Sequence, residues 1–308
     1  MRLSGVPHIF VVDYVQPNQL AAGQGYESIF ALYPLIIAGQ SYATGLVATH
    51  LNTIRSINPN IVLIGYLDPM QDSLPDSTGP GYDAMQYLEG IESAYLHDAN
   101  GKRLLVPGAQ EVCNGNVCNA VAYFNPASVD VQNAVVAAVK VILAAYPFDG
   151  MFFDNYDVQG AMLLDTTGAQ YLGTAGQVYS AANAATMLTS ITTLAGIIRA
   201  AFPTILIEAN GDNAFPLFNG EMVELTNQIS RVPGQAAVIP GRVTPFIPLF
   251  EDVPVSGPTD PIIAADMAYA QSFGTWYGAQ ATYEIPIWPT AFTVPAKMPR
   301  APANLVAQ

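Results

Sequence analysis

Three carboxylates, each near the end of a short apolar run, are the residues whose types and spacing could do chemistry. Asp154 follows Met151-Phe152-Phe153 within Phe148-Asp149-Gly150-Met151-Phe152-Phe153-Asp154-Asn155-Tyr156-Asp157. Glu208 lies in Thr204-Ile205-Leu206-Ile207-Glu208-Ala209-Asn210-Gly211, and Glu224 in Asn219-Gly220-Glu221-Met222-Val223-Glu224-Leu225. Side chains alternate along a strand. Gly150, Phe152 and Asp154 therefore share one face, as do Leu206, Glu208 and Asn210, and Gly220, Met222 and Glu224. If these runs are consecutive strands of one barrel, the three acids converge near its C-terminal rim. Clustered carboxyls beside aromatics suit cleavage of a glycosidic bond. One carboxyl protonates the leaving oxygen while an ionised one serves as base or nucleophile, and burial and mutual repulsion drive the two pKa values apart. The competing reading of Glu208 is a core acid bonded to barrel neighbours.

Other residues could complete such a rim. Asp13, Tyr14, Tyr66 and Asp68 end the first two strand-like runs, and Asn155, Tyr156 and Asp157 follow Asp154. These seven are expected substrate contacts, and Trp276 and the tyrosines offer faces on which sugar rings stack. Asp149 has the opposite parity to Asp154 and is expected to make a turn contact. Ser190 and the other serines lack the strand–turn–helix setting of a nucleophile elbow, which argues against serine hydrolysis.

Buried strands alternating with helices must position these groups. Residues 8–14, 61–68, 148–154, 204–211, 219–225, 243–250 and 275–281 read as strands, with 93–97 and 121–124 competing for a further, irregular third strand. Helical patterns cover 26–57 in two pieces, 84–91, 129–145 after a Ser128 cap, 177–201 and 261–273. Alternation of this kind calls for a parallel sheet. A count of about eight strands makes the fold class α/β, a (β/α)8 TIM barrel, with a reduced helix after the sixth strand. The runner-up, a doubly wound sheet, would show a glycine-rich turn after the first strand, and Asp13-Tyr14-Val15-Gln16 is not one. The barrel is expected over residues 1–284 with an excursion at 99–120, and a Pro-rich tail over 285–308. No internal repeat stands out.

The chain has 308 residues, 51% hydrophobic and 11% charged, with a net charge of −14. That balance disfavours nucleic acid, which needs clustered cations. Lys102, Lys140 and Lys297 are the lysines. No run approaches the ~18 apolar residues of a membrane span. The first residues do not have the pattern of a signal peptide. Cys113 and Cys118 bracket Asn114-Gly115, a tight-turn signal that sets them across a small hairpin and favours a local disulfide over free thiols or zinc. Such a bridge would favour an extracellular or particle-associated setting. Neither cofactor nor metal is expected.

These residues resemble a family. The 148–157 stretch resembles the "fDGhhhDnhD" signature of glycoside-hydrolase-like TIM barrels, a superfamily that includes endo-α-1,4-polygalactosaminidase-type enzymes. His97-Asp98-Ala99-Asn100-Gly101-Lys102 with Phe124-Asn125-Pro126, Ile207-Glu208-Ala209-Asn210-Gly211, and Asn219-Gly220-Glu221-Met222-Val223-Glu224 agree with it in order. The resemblance covers roughly residues 60–280, as one barrel domain would. It implies Asp154 and Glu224 as the acidic pair, Asn210 as a substrate contact, and a polysaccharide or oligosaccharide as the partner. Asn219 departs from the family pattern, which has Asp there. The alternative is an inactive carbohydrate-binding or structural subunit of a larger assembly, such as a surface layer or virion, or a homo-oligomer.

Overall fold

The computed structural model describes residues 8–13, 26–38, 48–72, 79–98, 100–113, 116–156, 170–171, 179–211, 216–224, 226–237, 239–253, 255–256 and 260–279, with only the backbone given for some of them, 107–113 and 116–120 included. Eight strands form one sheet: β1 (Phe10–Asp13), β2 (Leu35–Ala38), β3 (Val62–Leu67), β6 (Gly150–Phe153), β9 (Leu206–Asn210), β10 (Gly220–Glu224), β11 (Leu249–Asp252) and β12 (Trp276–Ala279), hydrogen-bonded in that order. Every pairing is parallel. The sheet closes where Ile9 bridges Tyr277 and the Tyr277 N–H donates to the His8 carbonyl at 2.8 Å. This is a (β/α)8 barrel, and closure rules out the doubly wound alternative.

Strands buried on both faces need apolar side chains at nearly every position. β3, Val-Leu-Ile-Gly-Tyr-Leu, meets that demand, and Leu63 to Leu67 are all buried. The helices α1 (Tyr26–Phe30), α2 (Ala48–Ile57), α3 (Pro80–Met85), α4 (Val129–Ala145), α5 (Ala181–Ala201), α6 (Val232–Gln235) and α7 (Pro261–Ser272) run between strands. On α4, Val131, Ala134, Val135, Ala138, Val139 and Ile142 are fully buried, the stripe that a 3.6-residue period aligns. Burying each Val or Ile contributes about 1.5–3 kcal/mol. Ser128 occupies the N-cap position of α4 without a side-chain cap bond, whereas Asp260 caps α7 by accepting from the Ile262 N–H. No helix among the described residues is long and apolar enough to cross a membrane.

The sequence expectations need correction at three strands. The second barrel strand is Leu35–Ala38, inside the stretch read as two helices. Four residues within a long apolar run carry no period that separates strand from helix. Residues 93–97 and 121–124 do not enter the barrel. Tyr95 bridges Phe124 and His97 bridges Arg103, both antiparallel, beside the hairpin of β4 (Leu105–Cys113) and β5 (Asn116–Ala122). That hairpin spans residues 105–122, overlapping the stretch 99–120. Its register pairs Cys113 with Asn116 rather than with Cys118, and the cysteine side chains lie outside the described residues. The short strands β7 (Gln170–Tyr171) and β8 (Tyr179–Ser180) pair with one another ahead of α5. The seventh barrel strand runs from Leu249 to Asp252, later than expected, because Pro245 and Pro248 occupy its approach. The helix after β10 is the expected short one, a 3-10 turn over Thr226–Arg231 leading into α6.

Two glycines fix how closely neighbouring strands approach. A Cβ on Gly150 would overlap the Leu206 carbonyl, and one on Gly220 would overlap the Ile247 carbonyl and the Glu208 carboxylate. Gly150→Ala and Gly220→Ala should therefore each lower the melting temperature, with a cost of about 1–3 kcal/mol or more from forced overpacking. Thermal melts followed by circular dichroism check this, and wild-type midpoints would contradict the packing.

Candidate active site

At the C-terminal rim, Asp154 and Glu224 meet on one amide. Asn210 closes β9, and its side-chain nitrogen donates to Asp154 Oδ1 at 2.9 Å and to Glu224 Oε2 at 2.6 Å. A shared donor limits the separation of these two oxygens to roughly 5.5 Å, the sum of the two bond lengths. Asp154 accepts two further bonds. The Tyr66 hydroxyl donates to its Oδ2, and the Asn155 N–H donates to its Oδ1 at 2.9 Å. Asp154, Asn155, Asn210 and Glu224 are partly exposed, whereas Tyr66 is buried.

A second layer holds this group. Asp68 is buried, accepts from the Met70 N–H at 2.9 Å, and receives the Asn155 side-chain amide at 2.8 Å. Asn155 makes that reach from a left-handed backbone, φ 52°. Such a backbone is uncommon outside glycine, and asparagine is among the residues that tolerate it. Burial first, and then the charge of Asp154, push the Asp68 carboxyl up to about 8.

Sequence reasoning missed Glu251. It stands beside Glu224 in the register of β10 and β11 and is buried. Neither of its oxygens has a hydrogen-bond partner among the described residues. Burial, then the charges of Glu224 and Asp154, push its carboxyl well above the usual range. The available signal was a carboxylate closing an apolar strand, as at Asp154, but the strand was expected to stop at Phe250.

The structure does not bring all the expected residues to the rim. Glu208 lies fully buried inside the barrel, its oxygens without a hydrogen-bond partner among the described residues. Its carboxyl is raised by burial and by Glu221, against the pull of Arg242 and Arg199. Trp276 opens β12, stacked on His8 at 5.0 Å, at the opposite end of the barrel from Asp154. Tyr156 is buried, its hydroxyl donating to the Ile191 carbonyl and its ring against Phe153 and Phe218. Asp149 receives Arg55 and the Leu63 N–H at the foot of β6. The Asp13 side chain, Tyr14 and Asp157 lie outside the described residues.

The comparisons with known proteins bear on the fold. Over 91% of this chain and 98% of the other, the structure is similar to the glycoside hydrolase domain of PelA from Pseudomonas aeruginosa, at 9% identity and a TM-score of 0.57. The fold the two share is the (β/α)8 barrel. An alpha-galactosidase from Thermus thermophilus matches with a TM-score of 0.55 at 12% identity, over 96% of this chain and 60% of its own. Alpha-L-fucosidase isoenzyme 2 from Paenibacillus thiaminolyticus matches with 0.53 at 10%, over 90% of this chain and 48% of its own. No family model matches the sequence, and no curated protein does.

The buried acids make stability depend on pH with a definite sign. Burial, then the charges of Asp252 and Asp260, raise Asp266 to about 6, and Asp68 stands at about 8. A group raised in the folded state binds its proton more tightly there than in the unfolded chain. Its stabilisation is complete below the unfolded value, near 3.8 for both, and fades as pH rises through 6 and then 8. Glu27, Asp98 and Asp260 are lowered instead, and lose their contribution only on further acidification. Urea midpoints should therefore fall steadily between about pH 4 and 9. A midpoint that rises over that interval would contradict the burial of these acids.

Proposed function

We propose that this protein hydrolyses a glycosidic bond in a polysaccharide or oligosaccharide, with Asp154 and Glu224 as the catalytic pair. The observation that carries the reading is the Asn210 amide, which donates to both carboxylates and so holds them a short distance apart. Asp154 accepts from Tyr66, Asn155 and Asn210, a pattern suited to the group that must accept and attack rather than donate. Asp154 is then the nucleophile and Glu224 the acid/base.

In the first step an Asp154 oxygen bonds to the anomeric carbon as the glycosidic C–O bond breaks, and the leaving oxygen takes the Glu224 proton. In the second, water gives a proton to Glu224 while its oxygen displaces Asp154 from the anomeric carbon. A separation of about 5–5.5 Å accompanies this double displacement, whereas inversion needs about 6.5–9.5 Å to admit a water. The solved structures similar to this barrel are a glycoside hydrolase domain, an alpha-galactosidase and an alpha-L-fucosidase by name, and that supports the reaction class.

A screen of glycans against wild type and Asp154→Asn tests the reading. Hydrolysis by wild type should be lost in Asp154→Asn and fall on the order of 10²–10⁴-fold in Glu224→Gln, the usual weight of general acid–base catalysis. Both variants should melt as wild type does. Full turnover in either one removes the assignment. Proton NMR of the nascent sugar should show a retained anomer, and an inverted one would exclude Asp154 as nucleophile.

A further inference from the structure

The two acid-bearing strands are built by the same device, repeated in a chain whose sequence shows no repeat. At the foot of β6, Asp149 Oδ2 accepts from Arg55 Nη2 at 2.8 Å and from the Leu63 N–H at 2.9 Å. At the foot of β10, Asn219 Oδ1 accepts from Arg199 Nη2 at 2.9 Å and from the Ile207 N–H at 2.9 Å. The backbone bonds match as well. The Asp149 N–H donates to Leu63 O at 2.7 Å, and the Asn219 N–H to Ile207 O at 2.7 Å. Asp149 O receives the Leu206 N–H, and Asn219 O receives the Ile247 N–H. Each arginine also holds the carbonyl two residues before its partner: Arg55 on Pro147 and Arg199 on Leu217.

The spacing is the same in both copies. Each arginine lies in the last turn of its helix, α2 or α5, and eight positions later comes the strand N–H that shares its acceptor. Three further on is the rim donor, Tyr66 or Asn210. Five positions beyond Asp149 and Asn219 stand Asp154 and Glu224, which receive those donors. A glycine, 150 or 220, follows each foot residue and lets the next strand close against it.

We propose that Arg55 and Arg199, with Asp149 and Asn219, are positioning residues that set how far β6 and β10 project Asp154 and Glu224 at the rim. One acceptor oxygen joins the helix end, the entry of the neighbouring strand and the acid-bearing strand. A slip along the barrel axis must therefore break both hydrogen bonds to that oxygen at once. Reacting groups need such control, since a displacement of ~1 Å can cost on the order of a hundredfold in rate. The inference rests on Asp154 and Glu224 being the catalytic pair, but its first two readouts need no substrate.

Asp68 reports where Asp154 sits, because the charge of Asp154 helps to hold the Asp68 proton. Carboxyl ¹³C NMR should give the same Asp68 midpoint in Asp149→Asn, which keeps the acceptor oxygen, as in wild type. Asp149→Ala and Arg55→Met should lower that midpoint as Asp154 moves away. Both side chains are about a third exposed, which favours folded variants. Folded Asp149→Ala and Arg55→Met with the wild-type Asp68 midpoint overturn the proposal. A second reading uses wild type alone. The amide protons of Leu63 and Ile207 should exchange with solvent as slowly as those of the barrel core, and exchange as fast as at frayed strand ends overturns it too. With the glycan found in the screen, Asp149→Ala and Arg199→Met should lose kcat tenfold or more while KM changes little, and Asp149→Asn should keep it. A screen that finds no substrate overturns the glycosidase reading and leaves the two NMR readouts to decide this one.

Discussion

A carboxyl at the rim of a barrel can meet a partner on another strand only if both strands are held at the right height. That height is fixed at the other end of the strand, where Asp149 and Asn219 each gather an arginine and a neighbouring strand N–H onto one oxygen. Ladder hydrogen bonds alone leave a parallel strand free to pair in more than one register, because the bonding pattern recurs every two residues. A side-chain oxygen tied to a helix end does not recur, so it selects one register. Gly150 and Gly220 then allow the next strand to close against the selected position. The Asn210 bridge between Asp154 and Glu224 is the visible result, some five residues downstream of each foot.

The same geometry collects acids where water is scarce. Asp68, Glu208 and Glu251 are buried, and among the described residues Glu251 and Glu208 have no hydrogen-bond partner on either oxygen. An ionised carboxylate in such a place would cost several kcal/mol even after relaxation, so the groups respond by holding their protons. At the rim this has a use. A neutral Glu251 beside Glu224 adds no charge next to Asp154, whereas an ionised one would repel it. At the foot, Glu208 faces a cationic neighbourhood instead, with Arg199 and Arg242 pulling against burial and against Glu221. The Glu221–Arg242 pair, 3.2 Å apart and almost fully buried, shows that charge is admitted there when it is matched.

Much of this was legible in the sequence, and what was not has physical reasons. β3 and β9 lie in short apolar runs of the kind a buried parallel strand shows, and side-chain alternation along each strand gave the parity of Asp154, Asn210 and Glu224. Leu35–Ala38 was hidden because four apolar residues have no period of their own. Glu251 was hidden because Pro245 and Pro248 drew the expected strand forward and ended it one residue early. Trp276 and Tyr156 were misplaced by residue type. A sugar-stacking ring must sit at the end of a strand, facing inward. Trp276 opens its strand and so lies at the foot, while Tyr156 turns away from the barrel interior and packs on Phe153 and Phe218. The repeated foot was invisible because its parts are far apart: Arg55 and Asp149 are separated by 94 positions, and Arg199 and Asn219 by 20.

Asn219, which stands where the resembled signature has Asp, shows what the foot position demands. Its oxygen does what Asp149 Oδ2 does, while its amide nitrogen donates to the Pro245 carbonyl at 2.8 Å, which a carboxylate could not do. Arg199 tolerates the loss of a counter-charge because it also donates to the carbonyls of Phe202, Pro203, Ile205 and Leu217, beyond the end of α5, where a cation is favoured. What is kept between the two feet is therefore an acceptor oxygen at one height, not a charge. Two identical copies would deliver two identical carboxyls, and the proposed acid–base chemistry needs unequal ones. The inequality enters downstream of the feet. One copy ends in the shorter Asp154, held by the phenol of Tyr66. The other ends in the longer Glu224, held by Asn210, whose second N–H reaches back to Asp154. On the proposed reading, the shared foot sets the heights of the two acids and the differing tips divide their roles.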